Sequence, residues 1–247
     1  MTDWYSDPQY KQTIITPLTE NQAAVYLKEA FAKIVGTAPK TKSVAILWAQ
    51  CALETGRFHK INNFNYGNIK KVHAPNDDGH DFTMFATGEN LWDKTQNKSV
   101  WTWFTPPHTQ THFISNKNGQ EGAEHYVAFL AKRTRYAKAW AQAIVGDPTA
   151  YNHELKNAGY YTADEAIYGK TLFSLTNYFM QHATELLKDL TPETANAQAT
   201  QSTELLSQQE KDQILSLVSL TNHMSLEEYF KNSNNNMCSE QEQNEQA

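Results

Sequence analysis

The chain has 247 residues, of which 40% are hydrophobic and 12% aromatic, with a formal charge of −6 at pH 7. That length suits one or two domains, and that composition can bury a core, which excludes a wholly disordered chain. The charge is uneven: residues 191–247 hold nine acidic residues and two lysines, a balance of −7, so residues 1–190 carry +1. Neither part has the basic face of a nucleic-acid binder.

Residues 1–18 read as an irregular arm. The opening "MTDWYSDPQY" has no basic stretch followed by an apolar one, so no signal peptide is expected and the protein is expected to be made in the cytoplasm. No apolar run nears the roughly 18 residues of a membrane helix, so no insertion is expected. The run from Thr19 to Gly36 has Ala23, Tyr26, Leu27, Ala30, Phe31 and Ile34 at helical spacing, between a threonine cap and a glycine stop. A second helix runs from Thr41 to Gly56, capped near Thr41 or Ser43, and its middle is apolar almost all round, which marks a buried helix. From Phe58 to about Phe113 Asn, Gly, Asp and Thr are frequent. Short alternating pieces, "DFTMFAT" and "SVWTWF", predict strands of a small β lobe set between helices. Helical periodicity resumes at Gly122–Arg133, Tyr136–Ile144 and Thr149–Gly159, and a long helix is predicted over Ala166–Leu190. After a linker, Ser202–Phe230 predicts an amphipathic helix, and an Asn/Gln/Glu-rich acidic tail follows. The fold class is α+β, predominantly helical: an arm over 1–18, one domain over 19–190 and an appendage over 191–247.

One stretch carries chemistry. "ILWAQCALETGRF", Ile46 to Phe58, ends an apolar helix on Glu54. A glutamate there is a surface residue at a helix end or a buried acid with a task. The helix macrodipole disfavours an anion at that end. Leu47, Trp48, Leu53 and Phe58 nearby would disfavour it further and raise the pKa, which suits a general acid at neutral pH. Glycoside cleavage needs such a proton for the leaving oxygen and often a second carboxylate.

The same residues carry a resemblance. "WAQCALETGRF" is similar to the "AQAALETGWG" segment of the bacterial cell-wall glucosaminidases, within the lysozyme-like superfamily. "NNFNYGNIK", Asn62 to Lys70, resembles that family's Asn-rich turn ending in Ile-Lys, and "FATGE", Phe85 to Glu89, resembles its Thr-x-Glu on the β lobe. "EGAEHYVAFLAKRTRYAKAW" and "LKNAGYYTADEAIYGKTL" are similar to two later helical segments, in the family's order. The likeness spans roughly Leu18 to Leu190. It implies a mixed helical domain with a groove for glycan strands, and cleavage of β-1,4 bonds in peptidoglycan with no cofactor. Glu54 would be the general acid, Glu89 the second carboxylate and Tyr160 a tyrosine of the groove floor. It also implies substrate contacts from Asn65, Tyr66, Lys70 and Tyr161. Three departures stand out: Arg57 replaces an aromatic, Gly67 sits one place early, and "FISN", Phe113 to Asn116, lacks an Arg and a Tyr. A lytic transglycosylase using Glu54 alone is the alternative enzyme, and a non-catalytic glycan-binding or assembly protein the alternative class.

Further candidates come from residue type. Trp92, Trp101, Trp103 and Phe104 crowd one lobe, either as sugar-stacking faces or as that lobe's core. Strand alternation puts Trp101 and Trp103 on one face, so both are expected in the core or both in the groove. Glu121 and Glu124 are reserve carboxylates, expected on a solvated helix face. Nine histidines raise a metal, with His108 and His112 four apart and His73 and His80 flanking two aspartates. Pro106-Pro107 argues against a helix through His108, no HExxH is present, and no metal is expected. Cys51 and Cys238 imply no disulfide framework. The acidic tail cannot help the chain onto an anionic envelope, and it suits carriage to the cell wall or periplasm by a virion or injection-apparatus protein docked on the amphipathic helix.

Overall fold

A computed structural model describes residues 3–73, 79–93, 95, 97–161 and 163–190; the expected linker, amphipathic helix and acidic tail lie outside the described residues. The fold is α+β and predominantly helical. Helix α1 spans Glu20–Val35 and opens with a reciprocal capping box between Thr19 and Gln22. It closes at Gly36, whose φ of 80° is the left-handed C-cap that glycine adopts without a Cβ penalty. Helix α2, Thr41–Glu54, is buried at every position from Ser43 to Leu53, as its all-round apolar face requires. The expected Thr41 or Ser43 cap is absent. Lys40 holds the N-cap position without a side-chain bond, and Ser43 Oγ donates instead to the Ile144 carbonyl at 3.0 Å. The burial of α2 against its neighbours commits Ser43 to a tertiary partner.

Among the described residues the β component is two separate antiparallel pairs, β1 (Phe82–Met84) with β4 (His112–Ile114) and β2 (Thr87–Asp93) with β3 (Lys98–Phe104). The described residues 58–73 and 79–81 contribute turns and isolated bridges and no strand. The arm is stitched to the β component, Tyr10 bridging Phe82 and Ile15 bridging Asn62, while Lys70 bridges Phe113. Glu89 lies mid-strand opposite Thr102. Gly88 beside it is obligatory, because a Cβ there would fall 1.9 Å from the Trp101 ring.

Helices α3 (Gly119–Lys132), α4 (Ala137–Val145), α5 (Pro148–Asn157), α6 (Glu165–Gln181) and α7 (Ala183–Leu186) complete the helical body. The long helix predicted over 166–190 is broken at His182. Past the break, α7 is closed from α1: Asn21 Nδ2 donates to the carbonyls of Leu186 at 2.9 Å and Lys188 at 2.8 Å, satisfying orphan acceptors at the end of α7. A tertiary cap of that kind leaves no local signature.

The core centres on Trp48, which is fully buried. Its ring lies 5.5 Å from Phe58 and 5.4 Å from Phe179, and its Nε1 donates to the Glu20 carbonyl at 3.1 Å. Beneath Glu54, one turn back on α2, buried Gln50 accepts hydrogen bonds from both Tyr126 and Tyr151. No helix among the described residues is long and apolar enough to cross a membrane.

Candidate active site

Glu54 is the last residue of α2, and the turn after it fixes its position. Thr55 Oγ1 donates to the Cys51 carbonyl at 2.6 Å and accepts from the Phe58 amide at 3.1 Å, closing the helix. Gly56, Arg57 and Phe58 then run left-handed, with φ of 57°, 53° and 69°. Two non-glycine residues in that region cost of order 1–3 kcal/mol each and persist only where the surroundings over-determine them. Here they do. Phe58 is fully buried against Trp48 and Tyr66, and Arg57 pairs with Glu20 at 2.6 Å while its guanidinium sits 4.4 Å over the Tyr178 ring.

A second clamp comes from the Asn-rich turn. Asn68 Nδ2 donates to the backbone carbonyl of Glu54 at 2.9 Å. That turn uses left-handed backbone at Asn63, Phe64 and Asn68, and asparagine tolerates it better than most residues. The turn packs so closely on α3 that a Cβ at Gly122 would stand 2.1 Å from the Phe64 carbonyl oxygen.

Glu54 lines a groove of about 660 Å³. Its Oε1 accepts a hydrogen bond from Tyr168 Oη at 3.1 Å. Burial pushes the carboxyl up from the usual 4.5 to about 7, against the Tyr168 hydrogen bond, which pulls it down. Burial, with the Glu54 charge adding to it, also pushes the hydroxyls of Tyr160 and Tyr168 well up, so both stay neutral donors at neutral pH. The arrangement is an acid that carries its proton near neutrality, on the lining of a cleft, which can protonate a leaving oxygen.

The groove gathers Glu54, Glu89, Lys70, Trp103, Tyr160 and Tyr161 from the expected set. Glu89 Oε1 is ion-paired with Lys70 Nζ at 2.5 Å, so these two meet each other as well as the groove. Trp103 is 60% exposed on one wall. Tyr160 contributes its ring, while its hydroxyl donates to the Gly67 carbonyl at 3.4 Å.

Three expected substrate residues do not reach the groove. Asn65 is buried and spends its side chain on the backbone of the turn and of β4: Nδ2 donates to the Ile69 and Ile114 carbonyls, and Oδ1 accepts from the Ile69 amide. Tyr66 is buried in the core against Phe58. Trp101 is not a lining residue; its ring covers Gly88, although it shares a strand face with Trp103. The either-or expectation for the two tryptophans therefore fails: Gly88 takes up the Trp101 ring where the strand leaves a gap. Tyr161 is only 7% exposed and turns its hydroxyl away, donating to Asn152 Oδ1 at 2.8 Å. The Trp92 side chain lies outside the described residues.

The reserve carboxylates have other tasks. Glu121 Oε2 accepts from the Lys117 amide at the start of α3, and Glu124 pairs with Lys33 at 2.6 Å. His73 and His112 do contact, Nε2 to Nδ1 at 2.6 Å, with the Trp4 ring against both. Among the described residues no group of three or more His, Cys, Asp or Glu could hold a metal ion, and Cys51 is a buried free thiol.

Sequence reasoning missed Tyr168. It lies inside the "AIYGKTL" stretch, yet nothing local marks it, because its importance comes from α6 packing on α2. The Tyr161 ring stacks on it at 3.7 Å with a 5° tilt and fixes its direction. Tyr168→Phe removes the donor that stabilises the ionised Glu54. The alkaline limb of the pH–activity profile is expected to move upward from about pH 7, with a fall in kcat of about tenfold from lost aim. A limb that stays put would detach Tyr168 from the acid.

No family model and no curated protein matches the chain. A solved peptidoglycan hydrolase mutant from Sphingomonas sp. A1 is 22% identical with a TM-score of 0.44, covering 66% of this chain and 99% of that one. The peptidoglycan hydrolase from the same organism is 20% identical with a TM-score of 0.42, covering 69% and 97%. At these values the likeness decides nothing about chemistry, which rests on the site's own residues.

Proposed function

We propose that this chain is a peptidoglycan-cleaving glycosidase of the lysozyme-like superfamily, glucosaminidase or muramidase in type, with Glu54 as its general acid. The observation that carries the reading is Glu54, a residue of the groove lining whose carboxyl pKa burial raises to about 7. The order of motifs from "ALETG" to "AGYYT" adds to it. The glycan strand lies along the groove. Glu54 gives its proton to the bridging oxygen as the glycosidic bond breaks and the electron pair passes to that oxygen. The sugar left behind takes on oxocarbenium character. Glu89, across the groove on β2, is the group that would serve as second carboxylate, with Lys70 holding one of its oxygens. Trp103 offers an exposed apolar face for stacking on a sugar ring. In this reading the site of action is the cell wall. The acidic segment after residue 190 suits carriage there by a virion or injection-apparatus protein better than capture by an anionic envelope.

One observation favours a second reading. Lys70 at 2.5 Å occupies Glu89, which leaves a lytic transglycosylase, needing Glu54 alone, as the alternative. Digestion of purified sacculi with the full chain, followed by mass spectrometry of the muropeptides, separates the two. Hydrolysis yields reducing ends, and Glu89→Gln then lowers kcat by about 10²-fold or more. Anhydro ends, one water lighter, with activity retained in Glu89→Gln, assign the transglycosylase. Sacculus binding without any soluble sugar overturns both.

A further inference from the structure

We infer that one end of the groove is a binding site for carboxylate groups carried by the strand, so that the chain selects charged glycan over neutral glycan of the same backbone. The inference deepens the proposed glycosidase reading and rests on it for the identity of the strand.

The charges lining the groove are unbalanced. Four cations face it, Lys60, Lys70, Arg133 and Arg135, against two carboxylates, Glu54 and Glu89. Lys70 and Glu89 neutralise each other at 2.5 Å. Glu54 holds its proton up to about pH 7. Three cations are left, in a chain whose overall formal charge is −6. Among the described residues, no carboxylate lies within ion-pair distance of Lys60, Arg133 or Arg135. Each of the three residues is exposed.

The two arginines are also pre-aimed. Arg135 Nε donates to the Ala158 carbonyl and Nη2 to the Gly159 carbonyl at 3.2 Å, which ties the guanidinium to the turn before Tyr160 and leaves donors over. Arg133 lies 4.5 Å over the Phe129 ring. Phe129, Tyr136 and Tyr160 lie under them as a contiguous aromatic floor, with ring centroids 5.1 to 6.5 Å apart. A guanidinium fixed on one edge keeps its remaining N–H groups in a fork that matches a carboxylate, and less entropy is lost on binding than for a free lysine. A neutral sugar needs no such fork. Peptidoglycan strands carry carboxylates in two places, on the stem peptides and, once the peptides are removed, on the exposed lactyl groups.

The test measures binding by the full chain carrying Glu54→Gln, so that strands stay intact. Three soluble strand preparations are compared: peptide-bearing, amidase-stripped with free lactyl carboxylates, and stripped with those carboxylates converted to methylamides. At low salt the charged strands are expected to bind at least tenfold tighter than the amidated ones, a preference that shrinks in 0.5 M salt. Whichever of the first two binds tighter identifies the carboxylate used. Adding Arg133→Gln or Arg135→Gln is expected to cut the charged-to-neutral ratio about tenfold each. Among the described residues the Arg133 side chain makes no hydrogen bond or ion pair to the helix body, only the ring contact with Phe129, so it serves as the control for folding, checked by near-ultraviolet dichroism. Equal binding of all three strands overturns the inference, as does an unchanged ratio in both arginine variants. The catalytic reading is scored separately with the wild type. Selective binding without cleavage sinks that reading and leaves this one, and cleavage with unselective binding does the reverse.

Discussion

Glu54→Gln is expected to lower kcat on purified sacculi by about 10³-fold or more, with the affinity for glycan strands changed by only a few-fold. Glutamine is isosteric and still accepts from Tyr168 Oη, so the groove keeps its shape. What disappears is the proton. General acid catalysis contributes about 10²–10⁴-fold, and here the departing oxygen is a poor leaving group without it. The wild type should lose activity as pH rises through about 7, where Glu54 ionises. Turbidity loss of sacculi against pH, for both proteins, measures this. A variant that keeps more than a tenth of wild-type turnover would remove Glu54 from the chemistry, and with it the present reading of the groove.

The same carboxyl should make the protein less stable at the pH where it works. Its folded pKa of about 7 lies above the usual 4.5, so the native state holds the proton more tightly than the unfolded chain. The contribution to stability is therefore whole below pH 4.5 and is lost as pH rises through 7. At about 1.4 kcal/mol per pH unit the ceiling is near 3 kcal/mol, and the partial exposure of the residue on the groove side brings it to about 1–3. Glu54→Gln, which cannot ionise, should melt higher than wild type at pH 8 and equally at pH 4. The acid is thus a place where function is kept at the expense of stability.

The sequence made much of this legible for definite reasons. Helix α2 announced itself because the buried run from Ser43 to Leu53 carries no charge, and Glu54 was conspicuous as the first one after it. The β lobe announced itself by alternation and by turn residues. What stayed hidden was set by contacts distant in sequence. Asn65 looked like a ligand residue because its neighbours matched a motif, yet its three hydrogen bonds make it a strut of the turn. Tyr168 looked like one more aromatic of α6 until α6 packed on α2. The end of α7 is capped by Asn21, more than 160 residues earlier. Trp101 and Trp103 share a strand face as alternation requires, but a single glycine opposite decided that one would be covered and the other left in the groove.

Arg57 is the case where a departure from a motif had a structural meaning, and it yields the second large effect. The position after "ETG" carries a cation only 7% exposed, in left-handed backbone. Glu20 on the first turn of α1 neutralises it at 2.6 Å, and Tyr178 of α6 lies under its guanidinium while donating to Glu20 Oε2 at 3.2 Å. Three elements are thus tied at the elbow that aims Glu54. Glu20→Met leaves the guanidinium buried and uncompensated, and is expected to cost about 2–4 kcal/mol in denaturant unfolding. Arg57→Met should cost less: Glu20 retains more solvent and the favourable field of the α1 N-terminus. The double variant should be more stable than the two single losses predict, by at least about 1 kcal/mol, because the stranded charge is gone. Both single variants should also lose turnover on sacculi, about tenfold, as the elbow loosens and the acid drifts from its line on the glycosidic oxygen. A Glu20→Met protein within about 0.5 kcal/mol of wild type would show that solvent reaches Arg57, and that packing of Phe58 alone holds the left-handed turn in place.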